Sequence, residues 1–113
     1  MKVDVRVQGE AAILDVDGQI TFESTPVLRE KILETLKTNG TVLVNLTQVA
    51  YMDSSGIATL VEGLKDAQTR KANFGLFGLT KNTRNVLRLV RLDKVFRIFD
   101  SEDDALRQFN PPA

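Results

Sequence analysis

The 113-residue chain contains no cysteine and no histidine. The first absence removes disulfides, thiol nucleophiles and cysteine-bearing zinc sites; the second removes every acid–base scheme built on an imidazole. An excess of either charge is also missing, since 15 Lys and Arg balance 15 Asp and Glu. Nucleic-acid binders gather a basic excess on one face. Here the densest charged cluster is small and acidic, Glu102-Asp103-Asp104, so neither nucleic acid nor an anionic membrane is an expected partner. No apolar run approaches the roughly 20 residues that cross a bilayer. The opening Met-Lys-Val-Asp-Val-Arg-Val interleaves charges with valines, which predicts neither a signal peptide nor a membrane anchor. The lack of cysteine suits a reducing compartment, and the cytoplasm is the expected location. Gly75 and Gly78 form no phosphate-binding loop, because G-x-x-x-x-G-K-[ST] is absent. With no paired-carboxylate signature either, an enzyme is not expected, and no cofactor is.

What the chain does contain is material for one domain: 42% apolar and 27% charged residues, near the globular average, in a length that supports a real core. Val3, Val5 and Val7 alternate with Asp4 and Arg6, the period of a strand with one wet face. After Gly9-Glu10, Ala11–Asp17 reads as its hairpin partner. Gln19–Ser24 is a polar connection interrupted by Ile20 and Phe22. Thr25-Pro26 predicts a helix start, with Thr25 as cap, Leu28, Ile32 and Leu36 as the apolar stripe and Asn39-Gly40 as the stop. Val42–Leu46 reads as a strand covered on both faces.

Further on, Ile57, Leu60, Val61 and Leu64 mark a second helix, Phe74–Leu79 another buried strand, and Thr80 the cap of a third helix through Val90. Val95–Phe99 reads as a last strand. Ser101-Glu102-Asp103-Asp104 has the S-x-x-D spacing of a capping box and opens a final helix. Pro111-Pro112 lies in a tail over 110–113. The order β-β-α-β-α-β-α-β-α predicts an α/β domain over 1–113, its sheet mostly parallel after an N-terminal antiparallel hairpin. Four helices leave one sheet face better covered than the other.

The stretch that carries chemistry is Leu43–Gly56, which ends in Met52-Asp53-Ser54-Ser55-Gly56. A buried strand delivers two hydroxyls to the start of an amphipathic helix, where unpaired N–H groups and the macrodipole favour negative charge. A serine there caps the helix or carries a phosphate. Capping is the ordinary reading and needs one hydroxyl; the second is spare. Tyr51 and Met52 beside it are expected as adaptable apolar contacts for a partner.

Asn45-Leu46 followed by Met52-Asp53-Ser54-Ser55-Gly56-Ile57 resembles the central motif of the STAS domain family, specifically its anti-sigma factor antagonists. The resemblance continues through Gly78-Leu79, Val86-Leu87, Leu89 and Leu92–Phe99 to Ser101–Leu106, and so covers essentially the whole chain. It implies a partner switch. Unphosphorylated antagonist binds an anti-sigma factor serine kinase and frees a sigma factor; the kinase phosphorylates the first serine, here Ser54; and a PP2C-type phosphatase resets the protein. The partner surface it implies comprises Gln19, Ile20, Thr21, Phe22, Tyr51, Met52, Asp53, Ser54, Ser55, Gly56 and Ile57. Within it Asp53 shapes the loop, Ser55 supports the helix start and Gly56 keeps backbone close to the partner. Two departures bear on partner choice: Thr21 stands where the family often has an aspartate, and Ala58 where glycine is common.

The family also supplies accessory subunits of bacterial lipid-transport ABC complexes and scaffolds without a sigma factor, and this alternative stays open. So does a homodimer through the apolar residues around Ile20, Phe22, Tyr51 and Met52. A magnesium cluster of Asp15, Asp17 and Asp53 is conceivable for a hard cation, but nothing in the spacing makes them converge, and no metal is expected. Lys81, Arg84, Arg88 and Arg91 read as a solvated helix face, with an acidic partner as the lesser alternative.

Overall fold

A computed structural model describes residues 1–109; the predicted tail over 110–113 lies outside the described residues. Strands β1 (Lys2–Gln8) and β2 (Ala11–Asp17) form the expected antiparallel hairpin, turned at Gly9 with a φ of 61°. Helix α1 (Thr25–Thr38), β3 (Thr41–Gln48), α2 (Ser54–Arg70), β4 (Asn73–Phe77), α3 (Lys81–Leu89), β5 (Arg97–Phe99) and α4 (Glu102–Phe109) follow. The sheet order is β1-β2-β3-β4-β5, and every pairing after the hairpin is parallel.

Alternate residues of the central strands feed two separate cores. Leu14, Val16, Val42, Val44, Leu46, Phe74 and Leu76 meet Leu28 and Ile32 of α1, Leu60 of α2 and Leu87 of α3 on one face. Ala11, Ile13, Leu43 and Phe77 meet Ala105 of α4 on the other, with Phe99, Leu106 and Phe109 packed around them. Three helices therefore cover one face and a single short helix covers part of the other. This explains why β2 and β3 read as nearly continuous apolar runs while β1, at the edge, alternates. Polar residues fill the remainder of the thinly covered face: Arg6 bonds Asp15 (Nε–Oδ2 2.6 Å) and Glu102, and Asn45 donates to Asp15 (2.8 Å).

Several element ends differ from expectation. Ser24, not Thr25, occupies the α1 N-cap position, and its side chain makes no capping bond. Its hydroxyl instead accepts from Thr21 N and donates to Gln19 O, while Thr25, already helical, donates its hydroxyl to Phe22 O. Gly78, at a φ of 71°, ends β4 before Leu79. Val95 and Phe96 do not join β5, because their N–H groups turn back to Leu92 O. Ser101 caps α4 by accepting from Asp104 N (3.2 Å), but the Asp104 carboxylate pairs with Arg107, so only half of the capping box forms.

Candidate functional site

The loop that leaves β3 carries Val49 and Met52 down into the core and lifts Tyr51 and Ser54 away from it. Three contacts hold it there. Thr80, the α3 N-cap, donates its hydroxyl to Val49 O (2.8 Å); Asn82 Oδ1 accepts from Met52 N (3.3 Å); and Ile20 forms an isolated parallel bridge with Met52. The bridge consists of Ile20 N to Tyr51 O and Asp53 N to Ile20 O, each 3.0 Å. The connection after β2 and the loop after β3 are thus stitched side by side beneath the start of α2.

The cap of α2 is Asp53, not a serine. Its Oδ1 accepts from Ser55 N (2.9 Å), Gly56 N (3.2 Å) and the Ser55 hydroxyl, and its Oδ2 accepts from Phe22 N (3.2 Å). The Ser55 hydroxyl foremost, with the N–H groups of Gly56, Phe22 and Ser55, holds this carboxyl below the usual aspartate range. One carboxylate therefore satisfies two of the donors that a helix start leaves free and also fastens the neighbouring loop.

The two serines consequently differ. Ser55 spends its hydroxyl on Asp53 and is half-buried. Ser54, the first helical residue, is exposed, and its hydroxyl bonds to none of the described residues. Phe22, whose N–H bonds the adjacent Asp53, is 78% exposed, and Tyr51, three residues before Ser54, is 44% exposed. Gln19 is also at the surface and Thr21 is half-buried.

Four residues expected on the partner surface are buried instead. Ile20 and Met52 lie in the main core at 0% and 1% exposure, because each is the apolar member of a polar connection that the bridge pulls inward. Ile57 begins the buried stripe of α2. Gly56 is packed closely from inside: a Cβ there would stand 2.5 Å from Met52 Cγ and 2.6 Å from Ile20 Cγ2. Ala58 is exposed on the outer side of α2. Asp15, Asp17 and Asp53 do not converge; Asp15 is bound to Arg6 and Asn45 and Asp53 caps α2. Among the described residues no group of three or more acidic side chains is placed to hold a metal ion, and no helix is long and apolar enough to cross a membrane.

The sequence reading missed Asn82, whose amide oxygen holds Met52 in place, and the anchoring of Phe22 by Asp53. No local signal marks either one. The lone apolar residues Ile20 and Met52, in otherwise polar segments, were the available hint that the two loops meet.

The STAS domain family model matches residues 2–105. The chain belongs to the STAS domain family. Over 65 residues this STAS protein is 32% identical to the anti-sigma-B factor antagonist of Bacillus subtilis, a match that covers 58% of the chain and 60% of that relative's length. In fold it resembles an anti-sigma factor antagonist from Mycobacterium paratuberculosis, with a TM-score of 0.87, 23% identity and coverage of 95% and 92% of the two chains. A putative anti-sigma factor antagonist from Thermotoga maritima gives a TM-score of 0.88 at 20% identity, covering 94% and 92%. The unphosphorylated form of the anti-sigma factor antagonist SpoIIAA gives 0.83 at 15%, covering 99% of each chain. At such identities these structures establish the STAS fold and nothing finer.

Proposed function

We propose that this STAS protein is an anti-sigma factor antagonist that works by partner switching at Ser54. Unphosphorylated, it binds an anti-sigma factor serine kinase through the exposed surface of Gln19, Phe22, Tyr51 and Ser54, and the kinase releases its sigma factor. Transfer of the γ-phosphoryl group of ATP to Ser54 Oγ, with release of ADP and the hydroxyl proton, ends the interaction. A PP2C-type phosphatase restores the serine. The observation that carries this reading is the division of labour in Asp53-Ser54-Ser55: the cap and the second hydroxyl are committed to each other, while Ser54 is exposed and its hydroxyl is unengaged among the described residues. The protein acts here as a binding module, and the chemistry belongs to its partners.

The energetics are modest. A phosphate adds about −1.5 to −2 charges at neutral pH, beside a carboxylate already held ionised. A hundredfold loss of affinity needs only about 2.7 kcal/mol, within the cost of one buried unpaired charge in an interface fitted to a neutral hydroxyl. The core beneath need not rearrange.

The test is incubation with the serine kinases encoded beside the gene, with ATP, followed by mass spectrometric location of phosphate and a binding measurement, with Ser54→Ala alongside. Phosphate on Ser54 with loss of kinase binding is the expected result. Failure of every cognate kinase to modify a correctly folded protein would sink the switch and advance the lipid-transport or scaffold roles.

A further inference from the structure

The partner switch just proposed places a phosphate on a residue whose neighbour already holds the nearby donors. Asp53 is the common node: one oxygen caps α2 through Ser55 N and Gly56 N, and the other holds Phe22 N, 31 residues away in sequence. Ser54 is the first residue of the helix between them. A phosphate at a helix start seeks the same N–H groups, so two anions would compete for one set of donors. The contact with the least support is Asp53 Oδ2 to Phe22 N: it is open to solvent and stands alone on its oxygen among the described residues, whereas the bonds to Oδ1 are part-buried and mutually reinforcing.

Resting on that reading, we infer that Asp53 is a positioning residue that couples the state of Ser54 to the Gln19–Ser24 loop, so that phosphorylation releases the Phe22 amide and unsets the exposed Phe22 ring. The effect is confined to the tip of the loop. Ile20 stays bridged to Tyr51 and Asp53 through backbone bonds, and Ser24 keeps its hydroxyl on Gln19 O and Thr21 N. Phe22 keeps the Thr25 hydroxyl on its carbonyl oxygen (3.1 Å), so its N–H side and its ring, 78% exposed, are the part left to move. Phosphorylation would then act on a partner twice, through charge at Ser54 and through an aromatic contact that loses its fixed geometry. Preorganised aromatic side chains contribute strongly to binding because little freedom is lost on contact.

The test needs no kinase. Phosphoserine is installed at position 54 during translation, and amide spectra are recorded by NMR for the unmodified protein, the phosphoserine protein, Asp53→Asn, and phosphoserine with Asp53→Asn. Asparagine is itself a good N-cap, so the variant keeps α2 while removing the anionic oxygen from Phe22 N. The expected result is an upfield shift of the Phe22 amide on phosphorylation, in the same direction as in Asp53→Asn, with no further shift when both changes are combined. A Phe22 amide that ignores phosphorylation overturns the coupling, and so does one that shifts equally with Asp53→Asn in place. Either outcome leaves kinase binding and release untouched as separate measurements. Conversely, a Phe22 shift without any change in partner affinity refutes the switch and not the coupling.

Discussion

Replacing Gly56 by alanine tests the site through its foundations. The added Cβ would stand 2.5 Å from Met52 Cγ and 2.6 Å from Ile20 Cγ2, where ordinary carbon contacts are about 3.5–4.0 Å. Both neighbours must retreat by about 1 Å. Met52 is flexible but fully enclosed; Ile20 is β-branched and tied on both sides by backbone bonds to Tyr51 and Asp53. Overpacking of this kind costs about 1–3 kcal/mol, and the gain in helix propensity returns at most about 1 kcal/mol, less in a first turn. The net expectation is a destabilisation of about 1–2 kcal/mol, read as a fall in Tm of about 5–15 °C.

The control is Gly40→Ala, the same chemical change at a position with no atom within 4 Å of the new carbon, expected within about 0.5 kcal/mol of wild type. Urea and thermal unfolding of the pair decide the matter. If Gly56→Ala is as stable as Gly40→Ala, the account of Gly56 as an internal contact is wrong, and the residue is free to serve a partner.

Phe22→Ala and Tyr51→Ala should each weaken kinase binding by at least about 1 kcal/mol, read by titration calorimetry, while unfolding stability stays within about 0.5 kcal/mol; a stability loss without an affinity loss would place them in the fold rather than the interface. Asn82→Ala removes the acceptor for Met52 N and should cost about 1 kcal/mol in urea unfolding and slow phosphorylation of Ser54. The Arg6 guanidinium, helped by Asn45, holds the Asp15 carboxyl below the ordinary value of 3.8. A carboxylate depressed in this way stabilises the fold above its unfolded pKa, and that contribution fades as pH falls through the folded one. The urea midpoint of wild type should therefore exceed that of Asp15→Asn at pH 6, and the gap should begin to close near pH 3.8 and vanish only below the lower folded pKa; a gap that persists in stronger acid would show that ionisation of Asp15 is not its source.

The scaffold was legible because its signals are local and periodic. Leu28, Ile32 and Leu36 fall one turn apart on α1, Val42–Leu46 is covered on both faces, and the β-α alternation after the hairpin leaves a parallel sheet as its natural reading. The position of Ser54 at a helix start was equally readable. What the local pattern could not decide was which of Asp53, Ser54 and Ser55 is the cap. All three side chains accept hydrogen bonds, and all three lie next to the helix. The choice is made by Phe22 N and by the bridge between Ile20 and Met52, contacts that span about thirty residues. The same reason explains why Ile20 and Met52 read from sequence as surface residues: an isolated apolar residue in a polar segment has no period to show which way it points.

Those long-range contacts also bear on how the proposed switch can work. Beneath Ser54 the structure is dense: Met52, Ile20 and Gly56 interlock, Thr80 and Asn82 pin the loop from α3, and Asp53 closes the helix. A phosphate arriving on such a base has little means of remodelling the core, since packed interiors resist small displacements. Its influence must be spent at the surface, on the potential around Ser54 and on the loop tip whose amide shares a carboxylate with the helix start. A partner that reads this surface through Phe22, Tyr51 and Ser54 would meet two different faces on one unchanged fold. The discrimination would lie in the partner's ability to tolerate a charge and a displaced ring, which makes compensating changes in the kinase, not in the STAS core, the route by which specificity is altered.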